Sequence, residues 1–369
     1  MMTRRLFAAS AASLPAFAAT VGCSHKRSTQ NYDGAVQQIF RHADRFDLTG
    51  QAAYRELIRY ATMAANSHNT QPWIFKIQDD HIHLSADHER RCPAVDPHDH
   101  HVYASLGAAA ENILTAARSF GLHGNLEFDA AESSIVMAFE PATPQRTSAF
   151  EAMPERQCTR ATFNGSTTPN DLLKELERFA MSPSVDLHLL TERSEKDQIT
   201  EFVVAGNSAQ MDDDAFVQEL RHWIRFNKAE ALATRDGLSY RSTGSPASPR
   251  WLGRILFGMM FRKGSENDKY REQIKSSAGV AVFVCKDQST AAWVEAGRAY
   301  QRFALLSTAR GLRHAFINQP VEVPELRRQL ASYLELGERL PDLIIRFGYG
   351  EPTPRTLRRP VDDVLLEAT

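Results

Sequence analysis

Several things that would settle the class of this 369-residue chain are scarce or missing. Its four cysteines, Cys23, Cys92, Cys158 and Cys285, lie far apart and form no C-x-x-C pair, which excludes a zinc ribbon, a thioredoxin-type site and a dense disulfide framework. Charge of one sign is lacking too. With 43 Lys and Arg against 45 Asp and Glu the net charge is −2, so no summed basic field exists to hold nucleic acid or an anionic bilayer. The one extended apolar run, Leu6 to Gly22, is rich in Ala and Ser, is broken by Pro15, and is too short and weak for a membrane-spanning helix. Also absent are a G-x-x-x-x-G-K-[ST] loop, a G-x-S-x-G elbow and an H-E-x-x-H pair, and Gly348-Tyr349-Gly350 lacks the third glycine and the helix of a dinucleotide fingerprint. What remains, 43% hydrophobic and 24% charged residues, is enough to bury a substantial globular core.

The first residues read as a targeting segment. Thr3-Arg4-Arg5-Leu6-Phe7 precedes the mild apolar run and resembles a twin-arginine signal, a type that carries proteins already folded, often around a cofactor. The run ends in Thr20-Val21-Gly22-Cys23, which resembles a lipoprotein cleavage box with Cys23 as the lipidated residue. Residues 1–22 are therefore set aside as a signal. The expected location is outside the inner membrane, periplasmic or held on its outer face by a lipid anchor, with no membrane span.

A repeated helix organises the rest. Leu106, Ala109, Ala110, Ile113, Leu114, Ala117 and Phe120 fall at helical spacing before Gly121, a natural helix-ending residue. Val294, Ala296, Ala299, Tyr300, Phe303 and Leu306 form a second such helix before Gly311. Gly107 maps to Gly297, and Gly121-Leu122 to Gly311-Leu312, both 190 residues on. Strand-like runs flank both helices: Trp73 to Ile77, Ile82 to Ser85 and Ile135 to Phe139 around the first, Gly279 to Cys285 and Leu343 to Phe347 around the second. The pattern predicts an α+β fold of two similar halves, residues 35–145 and 146–369, joined at the Pro141 to Gln145 linker. A fused pair makes a monomer a natural state.

Other segments bear on function. Asp236 to Arg250, with its glycines, prolines and serines, reads as a long exposed excursion. The apolar cluster Trp251 to Phe261 that follows reads either as core or as a lid, so that residues 236–262 together are a candidate lid. His81, His83, His88, Asp96, His98, Asp99, His100 and His101 suit either a transition metal or a solvated, proton-buffering surface, and no metal site is assigned to them.

The most suggestive stretch is Asn66-Ser67-His68-Asn69-Thr70-Gln71-Pro72-Trp73, a run of small donors and acceptors ending before a strand. Such a run can line a polar ring system, although an ordinary loop into a core tryptophan has the same composition. It is similar to the Pro-Ser-Ser-His-Asn-Thr-Gln-Pro-Trp loop of the Acg-type branch of the nitroreductase superfamily, which are flavin mononucleotide (FMN) enzymes. Ala65 and Asn66 stand where that pattern has Pro and the first Ser. Arg156-Gln157-Cys158-Thr159-Arg160 resembles the family's arginine-rich segment at the flavin, with Gln157 and Cys158 in place of Arg and Ser or Thr. Asn318-Gln319-Pro320-Val321-Glu322 resembles the loop beside the flavin pyrimidine and N5 edge. Arg355, Arg358 and Arg359 resemble the basic residues at the phosphate.

The resemblance implies one FMN per chain in a nitroreductase-like fold, held across the two halves by Ser67, His68, Asn69, Gln71, Arg156, Gln157, Cys158, Arg160, Gln319, Pro320, Val321, Glu322, Arg355, Arg358 and Arg359. It implies two-electron transfer, with NAD(P)H as a candidate donor and a small aromatic acceptor such as a nitro compound or quinone. No acid–base pair stands out as catalytic. A protein that binds and sequesters FMN under a lid, without turnover, is the alternative.

Overall fold

The computed structural model describes residues 31–366; the twin-arginine segment and Cys23 lie outside the described residues. After two amphipathic helices, α1 (Tyr32–Ile39) and α2 (Gly50–Thr62), the chain forms a hairpin of β1 (Trp73–Gln78) and β2 (His81–Ala86). Its two-residue turn, Asp79-Asp80, has φ of 50° and 57°, the left-handed geometry that matches strand twist in a tight hairpin. The long α3 (His100–Ser119) follows, then β3 (Leu122–Asp129) and β4 (Ser134–Pro141). The four strands make an antiparallel sheet in the order β1-β2-β4-β3.

The second part of the chain repeats this plan with insertions. β5 (Val185–Leu190) is followed by α4 (Arg193–Met211), α5 (Asp214–Trp223), α6 (Arg250–Met260) and α7 (Lys263–Lys275) before β6 (Gly279–Cys285). Then come α8 (Thr290–Ala309), β7 (Leu312–Phe316) and β8 (Pro341–Tyr349), giving a second antiparallel sheet in the order β5-β6-β8-β7. Both sheets thus run first-second-fourth-third, each with its long helix between the second and third strands. A final short strand, β9 (Leu365–Leu366), leaves the second part and pairs in parallel with β1 at the edge of the first sheet.

The core lies where α3 and α8 cross. Nearly every residue of α3 is buried, and a Cβ added at Gly107 would stand 1.9 Å from the Val294 carbonyl oxygen. The reverse contact is equivalent: a Cβ at Gly297 would stand 1.9 Å from the Ala104 carbonyl oxygen. Backbone therefore meets backbone, which only glycine permits. Beside the crossing, Gln301 Nε2 donates to Asn112 Oδ1 at 2.6 Å, and Arg298 and Arg302 both reach Glu111.

Two expectations change. The first long helix begins at His100, before the Leu106 implied by periodicity, because Asp96 Oδ2 accepts from the amides of His101 and Val102 and caps the added turn. Residues 100–105 are buried on all sides and so show no apolar stripe. The excursion after Asp236 is also not exposed throughout. Leu238-Ser239 pairs with Ile224-Arg225, and Asp236, Leu238 and Ser239 are buried.

Candidate functional site

The loop at Asn66–Pro72 is held in a conformation that its sequence does not favour. His68, Asn69 and Gln71 have φ of 48°, 55° and 57°, in the left-handed region that side chains with a Cβ rarely enter. The surrounding chain fixes them there. Asn69 Nδ2 donates to the carbonyls of Gly237 and Leu357, and its Oδ1 accepts from Arg358 Nη1 at 2.6 Å. Gln71 Nε2 donates to the Arg235 carbonyl, and Gln71 Oε1 accepts from the Arg359 amide. Asn66, Ser67 and His68 face one adjoining cavity, and Asn69 borders a second beside it.

The second wall is the arginine segment. The Thr159 amide donates to the His314 carbonyl at 2.8 Å, laying residues 158–159 along β7. Arg346, fully buried on β8, donates to the carbonyls of Thr159 and Ala161 and places its guanidinium 4.2 Å from the centre of the Phe163 ring. Nothing in the sequence pattern marked Arg346, which reads as one more residue of a strand.

Between these walls runs a cleft of two joined spaces. The larger, about 220 Å³, is bordered by Asn66, Ser67, His68, His101, Arg160, Tyr270, Tyr300, Gln319 and Glu322. The smaller, about 90 Å³, is bordered by Asn69, Arg156, Gln157, Cys158, Arg355 and Arg358. Ala65, Asn66, Arg160, Leu238 and Phe316 border both, so the two are continuous.

The ends differ in charge. At the small end Arg156 and Arg358 are buried, and neither has a carboxylate partner among the described residues. Arg156 Nη2 donates to the Met63 carbonyl, Arg358 Nε to the Thr62 carbonyl, and Arg355 Nη1 to the Arg156 carbonyl. Arg355 lies 3.6 Å from Glu155, which faces solvent. Burial, then repulsion from Arg156 and Arg355, pushes Arg358 down to about 9, and burial holds Arg355 down to about 10. Three crowded guanidiniums whose one carboxylate neighbour, Glu155, faces solvent are poised for a dianion.

At the large end the charge is acidic or neutral. Burial raises the Glu322 carboxyl, which accepts from Gln210 Nε2 at 2.5 Å and lies 3.6 Å from His101 Nδ1. Burial, helped by His100, lowers His101. Burial, Arg160 and His101 push His68 down to about 4. Both ring nitrogens of His101, Gln157 Nε2 and Gln319 Oε1 are buried without hydrogen-bond partners. Cys92 Sγ lies 3.6 Å from His68 Nδ1, but burial pushes its thiol far up, so it stays protonated.

Of the residues expected at a cofactor, Ser67, His68, Asn69, Arg156, Gln157, Cys158, Arg160, Gln319, Glu322, Arg355 and Arg358 border the cleft. Gln71, Pro320, Val321 and Arg359 do not. Gln71 is spent on backbone, Pro320 and Val321 are buried in the short helix Gln319–Glu322, and Arg359 lies 3.7 Å from Asp87. Sequence reading missed His101, Gln210, Tyr270, Tyr300 and Phe316 as cleft residues. The histidine-rich stretch is divided: His81 and His83 lie on β2, His88 lies 3.5 Å from Asp99, and His100 and His101 are buried at the start of α3, so it is not a solvated surface throughout. Among the described residues no group of three or more His, Cys, Asp or Glu is placed to hold a metal ion.

No protein-family model matches the chain. It is 24% identical over 324 residues to the Mycobacterium tuberculosis protein acg, provisionally named an NAD(P)H nitroreductase, covering 84% of this chain and 94% of that protein. A second M. tuberculosis protein with the same provisional name is 21% identical, with 84% and 90% covered. Among solved structures, the FMN-dependent nitroreductase NfnB of Mycobacterium smegmatis aligns at 14% identity with a TM-score of 0.37, covering 57% of this chain and 94% of that one. A Desulfitobacterium hafniense nitroreductase with bound FMN aligns at 11% identity and a TM-score of 0.37, covering 61% and 100%.

Proposed function

We propose that the chain is a member of the nitroreductase superfamily and an FMN-dependent NAD(P)H oxidoreductase with one cofactor cleft per chain. The observation that carries this is the trio of buried Arg156 and Arg358 and half-buried Arg355, lacking a buried counter-charge and opening into a chamber edged by unpartnered amide and imidazole groups. The donor set fits FMN: a phosphate matches the trio, and the polar edge of a flavin matches Gln157 Nε2, Gln319 Oε1, Asn66 and Ser67. FMN, when bound, supplies two-electron redox chemistry between a nicotinamide and an acceptor.

The residues themselves have separable tasks. Arg156, Arg355 and Arg358 bind and orient, and Arg160 places positive charge where the two spaces meet. Tyr300, Phe316 and Phe261 form apolar wall that excludes water and suits a flat aromatic acceptor such as a quinone or nitro compound. Burial raises the Glu322 carboxyl, and His101 Nδ1 stands 3.6 Å from it, which makes this pair the candidate for handling a proton at the chamber wall. Segment 236–262 gives Leu238, Ser242 and Phe261 to the cleft walls, which supports the second reading of a covered, sequestering site.

Two further proposals rest on the sequence and topology. The shared strand order and the 190-residue offset support a tandem duplication, and the twin-arginine segment supports export of the folded protein.

The test is the visible spectrum of the purified chain, before and after anaerobic NADPH. A flavin band near one FMN per chain that NADPH bleaches supports the oxidoreductase. A band that NADPH leaves oxidised, but bleaches in Phe261→Ala, favours the covered site. Absence of a band after reconstitution with FMN refutes both.

A further inference from the structure

Away from the cleft wall, α6 carries a surface that the fold does not use. Among the exposed large apolar side chains of the described residues the three greatest exposures are Trp251 at 66%, Met260 at 65% and Met259 at 59%, with Ile255 at 53% between them. All four belong to α6, whose sequence has no acidic residue. At roughly 3.6 residues per turn, Trp251, Arg254, Ile255, Gly258 and Met259, continued by Arg262, form one unbroken stripe. Every member is exposed.

The stripe is not a core face left half covered. α6 is seated by a different side: Gly253 lies against Phe226, where an added Cβ would be 2.4 Å from the ring, and Phe257 packs against the cluster of Ile224, Phe226 and Leu238. Arg254 and Arg262 have no carboxylate partner among the described residues; Arg262 Nε donates to the Met259 carbonyl at 2.9 Å. A net charge of −2 hides this local excess, because the acids lie elsewhere.

We propose that this stripe is an interfacial docking face for an anionic lipid bilayer. Trp251, Ile255 and Met259 enter the boundary between headgroups and acyl chains, and Arg254 and Arg262 meet lipid phosphate. The unpaired arginines on the apolar stripe select an anionic surface over a neutral one. No helix among the described residues is long and apolar enough to cross a membrane, so the contact is parallel to the surface. Phe261, just past the end of α6, borders the large cavity, so docking brings that wall of the chamber beside the lipid.

The experiment uses the full chain with Cys23→Ser, so that a lipid anchor does not supply the binding, and vesicles of phosphatidylglycerol with brominated phosphatidylcholine. Of the four tryptophans, Trp73 and Trp223 are buried, Trp293 is half-buried and Trp251 is exposed, so the quenching by bromine that Trp251→Phe removes reports on α6. The expected result is quenched tryptophan emission that Trp251→Phe abolishes. Vesicle association should fall at least tenfold in Ile255→Glu/Met259→Glu, in Arg254→Glu/Arg262→Glu, and on vesicles of phosphatidylcholine alone. Circular dichroism checks that each variant folds, and Trp251→Phe serves if the acidic variants do not. Association without quenching, equal association of the charge-reversed variant, or no association overturns the proposal. So does a concentration-dependent dimer that Ile255→Glu/Met259→Glu dissociates, which would make a second copy the occupant.

Discussion

Gly107 and Gly297 each lie over the backbone three residues before the other, Gly107 on Val294 and Gly297 on Ala104, so α3 and α8 cross with two-fold reciprocity inside one chain. The two sheets, the cleft and its arginines are all placed relative to that crossing.

Gly107→Ala and Gly297→Ala should each destabilise the protein by about 3 kcal/mol or more, since the new Cβ meets a carbonyl that belongs to a rigid helix. Gly34→Ala is the control: it lies in α1 with open space around it, and should stabilise by about 0.5 kcal/mol. Urea midpoints measure all three.

Arg355→Gln should weaken FMN binding at least tenfold without lowering the stability of the cofactor-free protein, because it removes one of three mutually repelling charges. Inorganic phosphate should raise the Tm of the parent and do so less in the variant. Titration calorimetry and a phosphate series of melting curves decide it.

Acid should destabilise the fold before ordinary carboxylates titrate. His68 is held down to about 4 and His314 to about 3, both lower than a histidine in the unfolded chain, so unfolding takes up protons. Their stabilising contribution is complete above about pH 6.5 and is lost as pH falls toward 4 and 3, at about 1.4 kcal/mol per unit for each. Glu322, raised by burial, has the opposite sign and loses its contribution as pH rises past the usual carboxylate range. His68→Asn, a residue that tolerates φ of 48°, should flatten the slope of Tm between pH 6.5 and 4.5.

Gln71→Ala should cost about 2 kcal/mol of stability by stranding the Arg235 carbonyl and the Arg359 amide, yet leave FMN affinity of the folded protein within about threefold. A large loss of affinity with normal stability would return Gln71 to the cofactor.

The repeated helices, five of the strands and the residue types of the cleft were legible in the chain, because periodicity and rare polar runs are local. What was not legible depends on distance. Strand β3 alternates half-exposed with exposed residues and looks like a polar loop until it pairs with β4. Asn69 and Gln71 look alike in the loop, but only the fold reveals that Gln71 spends both ends of its amide on backbone. His101 was hidden in a histidine-rich run, and it matters only because the short helix Gln319–Glu322 brings Glu322 to it from more than two hundred residues away.

The way the chain's last described segment folds back has a consequence for timing. β9 completes the sheet begun by β1, Tyr32 Oη donates to the Arg355 carbonyl, and Arg358 grips Thr62 and Asn69. A ribosome must therefore release residues 355–366 before the earliest part of the fold can close. Until then the first sheet lacks its edge strand and the anion-binding end of the cleft lacks Arg355 and Arg358, so an anion held there cannot guide the folding of the residues made earlier.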